Sequence, residues 1–242
     1  MQTEAPIRPL PTRGRAVNRL SLALMILGAG CALLVLASRP LFQAWHGIPN
    51  TPLTTICFLV AATMSGGVPR RYQWSMVLGL AFSALGDLFL MLPSDHFVAG
   101  LASFLIAHIC YLWGLTSDTR FAARRLPFLI AGIVGLMLLA FLWPGVPASL
   151  RFPVVLYTAA LLGMAAQANA RALSTCNRAA TFAAIGAILF VASDTALALH
   201  RFGHPLPWRH LIVLGTYFGA QAGISLSVVL HRGESAKTEH PA

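Results

Sequence analysis

The chain has 242 residues, of which 57% are hydrophobic and only 10% carry a formal charge. Soluble domains carry about 25% charged residues, so a soluble globular fold would lack the polar side chains to cover its surface. Disorder, which needs low hydrophobicity and high charge, is excluded as well. The net charge of +10 sits almost wholly between long apolar runs, so it reads as membrane topology and not as a nucleic-acid surface. The class implied is all-α: a polytopic bundle of about eight transmembrane helices, with the lipid bilayer as its surroundings and no nucleic-acid partner.

Residues 1–19 are rich in Pro and Arg and lack apolar periodicity, which predicts a disordered cytoplasmic tail. The run 20–37 exceeds the roughly 7–15 apolar residues of a signal-peptide core and reads as the first span. Further spans are predicted at 49–67, 73–92, 97–116, 126–143, 152–171, 179–200 and 210–231, each near the ~20 residues a bilayer requires. Breakers separate them, among them Arg39-Pro40, Gly66-Gly67-Val68-Pro69, Pro93, Pro144-Gly145 and Pro205-Leu206-Pro207. Residues 20–231 then form one eight-helix domain, and 232–242 a second cytoplasmic tail.

Charge assigns the sides. Thirteen of the seventeen cations fall on one side: Arg8, Arg13, Arg15, Arg19, Arg70, Arg71, Arg120, Arg124, Arg125, Arg171, Arg178, Arg232 and Lys237. Arg39, Arg151, Arg201 and Arg209 fall on the other. That asymmetry predicts eight spans with both termini cytoplasmic. Sixteen Arg against one Lys points to a GC-rich bacterial genome, and so to an inner membrane. The four cysteines, Cys31, Cys57, Cys110 and Cys176, show no CxxC spacing, so neither a disulfide framework nor a zinc site is expected.

Two of the four Asp lie inside spans, Asp87 in the third and Asp194 in the seventh. A carboxylate at bilayer depth costs at least ~2.5–3.5 kcal/mol on insertion scales, which makes it a functional candidate; independent helix-pairing hydrogen bonds are the other reading. Gly86-Asp87-Leu88-Phe89-Leu90-Met91-Leu92 and Ser193-Asp194-Thr195-Ala196-Leu197-Ala198-Leu199 share the pattern small-Asp-x-x-Leu-x-Leu, four spans apart. This is compatible with a parallel four-plus-four repeat placing two carboxyls in one cavity, and equally with chance in Leu-rich segments.

The span after each Asp is polar on one face. Phe104, His108 and Tyr111 share a stripe in the fourth; Tyr217, Gln221 and Ser225 share one in the eighth. Gly219 and Gly223 form a GxxxG that marks close helix packing. Tyr157 and Gln167 in the sixth span carry less signal, and the loop arginines serve topology. Two carboxyls sharing a low-dielectric cavity resolve into one neutral and one ionised, an acid and a base at neutral pH. Two Asp and one His are too few for a zinc site, and no cofactor is expected.

The blocks Ser83-Ala-Leu-Gly-Asp87-Leu-Phe-Leu-Met-Leu-Pro93, Phe97-x-x-Gly100-x-x-x-Phe104-x-x-x-His108-x-x-Tyr111, Tyr157 with Met164, Leu189-Phe190-x-x-Ser193-Asp194-x-x-Leu197 and Tyr217-Phe218-x-x-Gln221-x-x-Ile224 follow one another through most of the chain. In this combination the chain resembles the YhhN-like lysoplasmalogenase family of integral membrane proteins. One departure is Thr51-Pro52-Leu53, where the family usually shows Lys-Pro-Leu. The resemblance implies hydrolysis of the vinyl ether of a lysophospholipid substrate, a lysoplasmalogen, to a fatty aldehyde and a glycerophospho-base. It implies Asp87 and Asp194 as the catalytic residues. His108, Tyr111, Tyr217 and Gln221 would position water and the glycerol or phosphate end. The other readings are a small proton-coupled transporter using the Asp pair as a relay, and a non-enzymatic membrane protein whose carboxyls pair helices. The oligomeric state is left open.

Overall fold

An apolar run in a bilayer satisfies its backbone polar groups internally only as a helix or in a closed barrel, and here the helix is the outcome throughout. The computed structural model describes the backbone of residues 13–38 and 50–238, and side chains within 19–37 and 51–231. Eight helices follow in order: α1 (Arg13–Ser38), α2 (Asn50–Thr63), α3 (Arg70–Met91), α4 (Phe97–Leu115), α5 (Arg125–Leu142), α6 (Ala148–Thr175), α7 (Arg178–Arg201) and α8 (Arg209–Thr238). They match the predicted spans in number and order, and the described residues contain no strand. The chain is therefore a multi-pass helical membrane bundle, in which seven of the described helices are long and apolar enough to cross a bilayer. The exception is α2, whose 14 residues span about 21 Å at 1.5 Å per residue.

Two ends differ from expectation. The first helix starts at Arg13, inside the segment predicted to be a disordered tail, and α8 runs to Thr238, beyond the predicted end at 231. Once a helix is nucleated by an apolar span, each added residue gains a hydrogen bond, so flanking polar residues without a breaker extend it. Residues 1–12 and 239–242 lie outside the described residues, as does the Arg39-Pro40 joint within 39–49.

Among the described residues, helices adjacent in sequence pair except α4 with α5; α3 with α4 and α7 with α8 pair most extensively, and α2 and α6 also pack against α8 and α4 respectively. Small residues set the closest approach. A Cβ on Gly186 would meet the backbone of Ala220, Gly223 and Ile224, and one on Gly223 would meet Phe182 and Gly186. The GxxxG of α8 is thus used within the chain, against α7. The central cluster joins Tyr72, Met76, Leu80, Tyr111, Phe190 and Val228. The outward faces of α1 and α5 carry exposed Leu33, Leu34, Leu136 and Met137, as lipid-facing helices do.

Arg171 is not the exposed topological charge that its place in the sequence implied. It is fully buried in α6 and forks onto Asp118 of the α4–α5 loop, with Nε at 2.8 Å from Oδ1 and Nη2 at 2.7 Å from Oδ2. Its guanidinium lies 4.7 Å from the Tyr72 ring centroid, and the Tyr72 hydroxyl is 2.7 Å from Ser227 Oγ. Gln167 pins the same loop: its amide nitrogen donates to Leu115 O and Arg120 O, and its Oε1 accepts from Ala122 N. Burial alone pushes the Asp118 carboxyl up, but His231, whose Nε2 lies 3.7 Å from Oδ2, and the hydrogen-bonded Arg171 outweigh it and hold the carboxyl well below the usual carboxylate range.

A folded-state value below the unfolded one means stability that is present above the unfolded pKa and drains as pH falls through the folded one. Asp118→Asn leaves Arg171 buried without its counter-charge. Because Asp118 is one-third exposed, the loss at neutral pH is expected near the lower end of the ~3–5 kcal/mol seen for broken buried pairs. Thermal unfolding in detergent checks it. The difference from the parent protein should be constant through the neutral range and shrink only in acid.

Candidate active site

The two intramembrane carboxylates lie on α3 and α7, the helices whose small-Asp-x-x-Leu-x-Leu pattern is shared. Asp87 is almost fully buried. Its Oδ2 accepts two hydroxyl hydrogen bonds at 2.8 Å, one from Thr55 Oγ1 on α2 and one from the Tyr217 hydroxyl on α8. These donors lie 3.4 Å from each other, so three side chains from three helices converge on one oxygen.

Asp194 is held in a parallel manner. Its Oδ2 accepts from the Tyr157 hydroxyl on α6 at 2.5 Å, and His108 Nε2 on α4 lies 3.1 Å from that hydroxyl and 3.5 Å from the carboxylate oxygen. Since Tyr157 gives its proton to Asp194, the tautomer that fits carries hydrogen on Nε2 and leaves Nδ1 as an acceptor. That Nδ1 is buried with no hydrogen-bond partner among the described residues. A third group lies one helical turn along from these, with Ser83, Tyr111 and Gln221 next in register to Asp87, His108 and Tyr217: the Tyr111 hydroxyl donates to Gln221 Oε1 at 3.3 Å and is 3.1 Å from Ser83 Oγ. Gln221 Nε2 is likewise buried without a partner there. A buried polar group left unpaired costs about 1–3 kcal/mol, so both atoms suit a water or a polar ligand group.

All six predicted site residues are therefore interior and close together, but they form three groups and not one. No hydrogen bond joins the Asp87 group to the Asp194 group among the described residues. Aromatic rings separate them: Phe190 packs against His108 with centroids 4.8 Å apart and against Tyr217 at 5.6 Å, and Phe104 packs against Tyr217 at 6.0 Å. A Cβ on Gly86, next to Asp87, would collide with the Phe104 ring, so that glycine admits the partition. An apolar cavity opens on one side of it. Asp194, Tyr157, Thr158 and Thr195 are its polar lining, and Phe104, Leu138, Leu142, Leu162 and Phe202 are among its apolar walls. Asp194 lines this cavity and Asp87 does not. The expectation of two carboxyls in one cavity thus meets a structure in which one aromatic layer stands between them.

Thr55 was missed in the sequence, and Tyr157 undervalued. The available signal was a polar residue inside an apolar span, which needs a partner somewhere in the bundle. Thr51, at the position where the resemblance expects Lys, is buried and offers its carbonyl to Thr55 Oγ1 at 3.4 Å. The described residues contain no group of side chains able to hold a metal ion. Removing either hydroxyl, in Thr55→Val or Tyr157→Phe, takes a donor from a buried carboxyl. Each variant should lose about 1–3 kcal/mol of stability, read as a lowered unfolding temperature in detergent, while Thr55→Ser stays close to the parent.

The YhhN family profile matches residues 49–228. The chain is 36% identical to lysoplasmalogenase TMEM86B of Sus scrofa, covering 73% of this chain and 71% of the relative. It is 33% identical to lysoplasmalogenase TMEM86A of Bos taurus, covering 72% and 73%, and 32% identical to the lysoplasmalogenase of Mycobacterium bovis, covering 67% of each. No solved structure matches the chain. With three quarters of its length inside the family profile and curated enzymes among its relatives, the chain belongs to the YhhN family of membrane enzymes.

Proposed function

We propose that the protein is a lysoplasmalogenase, hydrolysing the vinyl ether of a single-chain glycerophospholipid to a fatty aldehyde and a glycerophospho-base. The observation that carries the reading is the arrangement at Asp194: a carboxyl held by Tyr157 on the wall of an apolar cavity inside a membrane bundle. A cavity of that lining suits a hydrocarbon chain, and a carboxyl on its wall suits the polar bond at that chain's end. The relatives' names give the bond type.

Vinyl ether hydrolysis begins with a proton delivered to the β-carbon, which breaks the C=C π bond and leaves an oxocarbenium ion at the ether carbon. One Asp, neutral, donates that proton; the other, ionised, stabilises the cation and takes a proton from the water that adds. The resulting hemiacetal loses its hydroxyl proton as the C–O bond breaks, and the glycerol oxygen regains one, so aldehyde and alcohol leave with one water consumed. Tyr217 and Thr55 fix the orientation of Asp87, and Tyr157 with His108 fixes that of Asp194. Tyr111 and Gln221 then face the glycerol or phosphate end together with water. The asymmetry of the loop charges supports a topology with both termini cytoplasmic, and the excess of Arg over Lys supports a bacterial inner membrane as its location.

The test is aldehyde release from a lysoplasmalogen by the purified protein, with Asp87→Asn and Asp194→Asn alongside. Each substitution should lower kcat by about 10²–10⁴-fold, the scale lost when a reaction depends on an acid–base group, with folded protein still recovered. Turnover retained in both variants would sink the proposal.

A further inference from the structure

The hydrogen-bond pattern repeats on shifting the chain by four helices. Asp87 on α3 takes its donors from α2 and α8, and Asp194 on α7 takes its contacts from α6 and α4. Thr55 thus corresponds to Tyr157, and Tyr217 to His108, each ring reaching across to the carboxylate of the other half. The close approaches repeat as well. Gly79 lies eight residues before Asp87 and Gly186 eight before Asp194; the first lets Tyr111 of α4 approach, the second lets α8 approach. Gly114 lies six residues after His108 and Gly223 six after Tyr217; the first faces Ser75 and Met76 of α3, the second Phe182 and Gly186 of α7. The pairings α1–α2, α2–α3, α3–α4 and α2–α8 recur as α5–α6, α6–α7, α7–α8 and α6–α4. Independent helix-pairing carboxyls have no reason to share this many positions.

The repeat fails most clearly in one place. In the first half α1 packs on α8, whereas α5 has no comparable packing on α4 among the described residues. The cavity occupies that gap, with walls from Leu101 and Phe104 of α4, Leu138 and Leu142 of α5, Tyr157 and Leu161 of α6, and Asp194 of α7. On either side of the gap the outer faces are apolar and exposed, with Ile106 and Ile109 on α4 and Ile133 and Met137 on α5.

We propose that the α4–α5 seam is a lateral entrance from the bilayer, through which the hydrocarbon chain of the lipid comes to lie against Asp194 and Tyr157, the open one of two repeated carboxyl sites. At the Asp87 side the corresponding seam is covered, α1 lying on α8, so the chain reaches the pair of carboxyls from the Asp194 side alone. The chain enters sideways because an alkenyl chain then never has to leave an apolar medium. Tyr157, which both holds Asp194 and lines the cavity, becomes the positioning residue next to the chain; Thr55, its counterpart, has no such contact. This inference rests on the lipid-hydrolase reading and refines it.

Two measurements test it. In the first, a single-chain ether lipid carrying a diazirine at the chain end is photolysed with the wild-type protein, and the labelled peptides are sequenced by mass spectrometry. Labels on cavity residues of α4 to α7 are expected. Labels on the α1–α8 seam, or on outward faces alone, would overturn the entrance. In the second, Leu138→Trp fills the seam while Leu136→Trp, on the exposed face of α5, serves as control. Leu138→Trp should lower kcat/KM for a long-chain lysoplasmalogen roughly tenfold or more, the scale on which an apolar pocket discriminates by size. A short-chain substrate should lose less, and Leu136→Trp should match the parent. Equal effects on both chain lengths would refute the chain site. Absence of aldehyde release from the wild-type protein would instead count against the hydrolase reading, and leave the labelling result to be read by itself.

Discussion

Two carboxylates set within apolar, membrane-spanning helices are the constraint around which the bundle is built. Each costs at least ~2.5–3.5 kcal/mol at bilayer depth, and each is compensated by hydroxyl donors brought from other helices: Thr55 and Tyr217 for Asp87, Tyr157 for Asp194. Those donors fix which helices must be neighbours. α2, α3 and α8 have to converge at one carboxylate, and α4, α6 and α7 at the other. The glycines at the α3–α4 and α7–α8 crossings then allow the helices to come close enough for the bonds to form. The polar site and the packing of the bundle are therefore one problem with one solution.

The same arrangement divides labour between two ends of the molecule. At one end Arg171, Asp118, Tyr72 and Ser227 tie α6, the α4–α5 loop, α3 and α8 into a charged and aromatic network. At the other, Asp95 receives a 2.7 Å hydrogen bond from Arg201, joining the α3–α4 loop to the end of α7. The carboxylates and the cavity lie between these anchors. Phe104 and Phe190 separate the two carboxylate groups while touching residues of both. In the proposed reaction one carboxyl is the acid and the other the base, and such a layer keeps each in its own hydrogen-bond set.

Much of this was legible in the sequence, because the bilayer makes simple demands. Runs of about 20 apolar residues gave the helices and their order, and the rarity of Asp within them singled out Asp87 and Asp194. The stripes His108–Tyr111 and Tyr217–Gln221 followed from helical spacing and do face the interior. The rest depended on contacts between distant helices. Arg171 looks like any loop-end arginine until Asp118 is seen to fold back on it, and Thr55 looks like one of several span threonines until α2 meets α3. The repeat was visible as a seven-residue echo around each Asp, too short to separate from chance. It is the equal Gly-to-Asp spacings and the exchanged ring donors, which involve four helices at once, that give it weight. Its failure at α5 had no trace in the sequence at all, because α1 and α5 are similarly apolar.

The most direct test of the account is to run the reaction in deuterium oxide and trap the aldehyde as it forms. Proton delivery to carbon by an intramembrane carboxyl predicts one solvent deuterium at the α-carbon of each aldehyde, with slower turnover than in ordinary water. Aldehyde carrying no solvent deuterium would contradict it, since the vinyl ether would then have been cleaved without protonation at carbon.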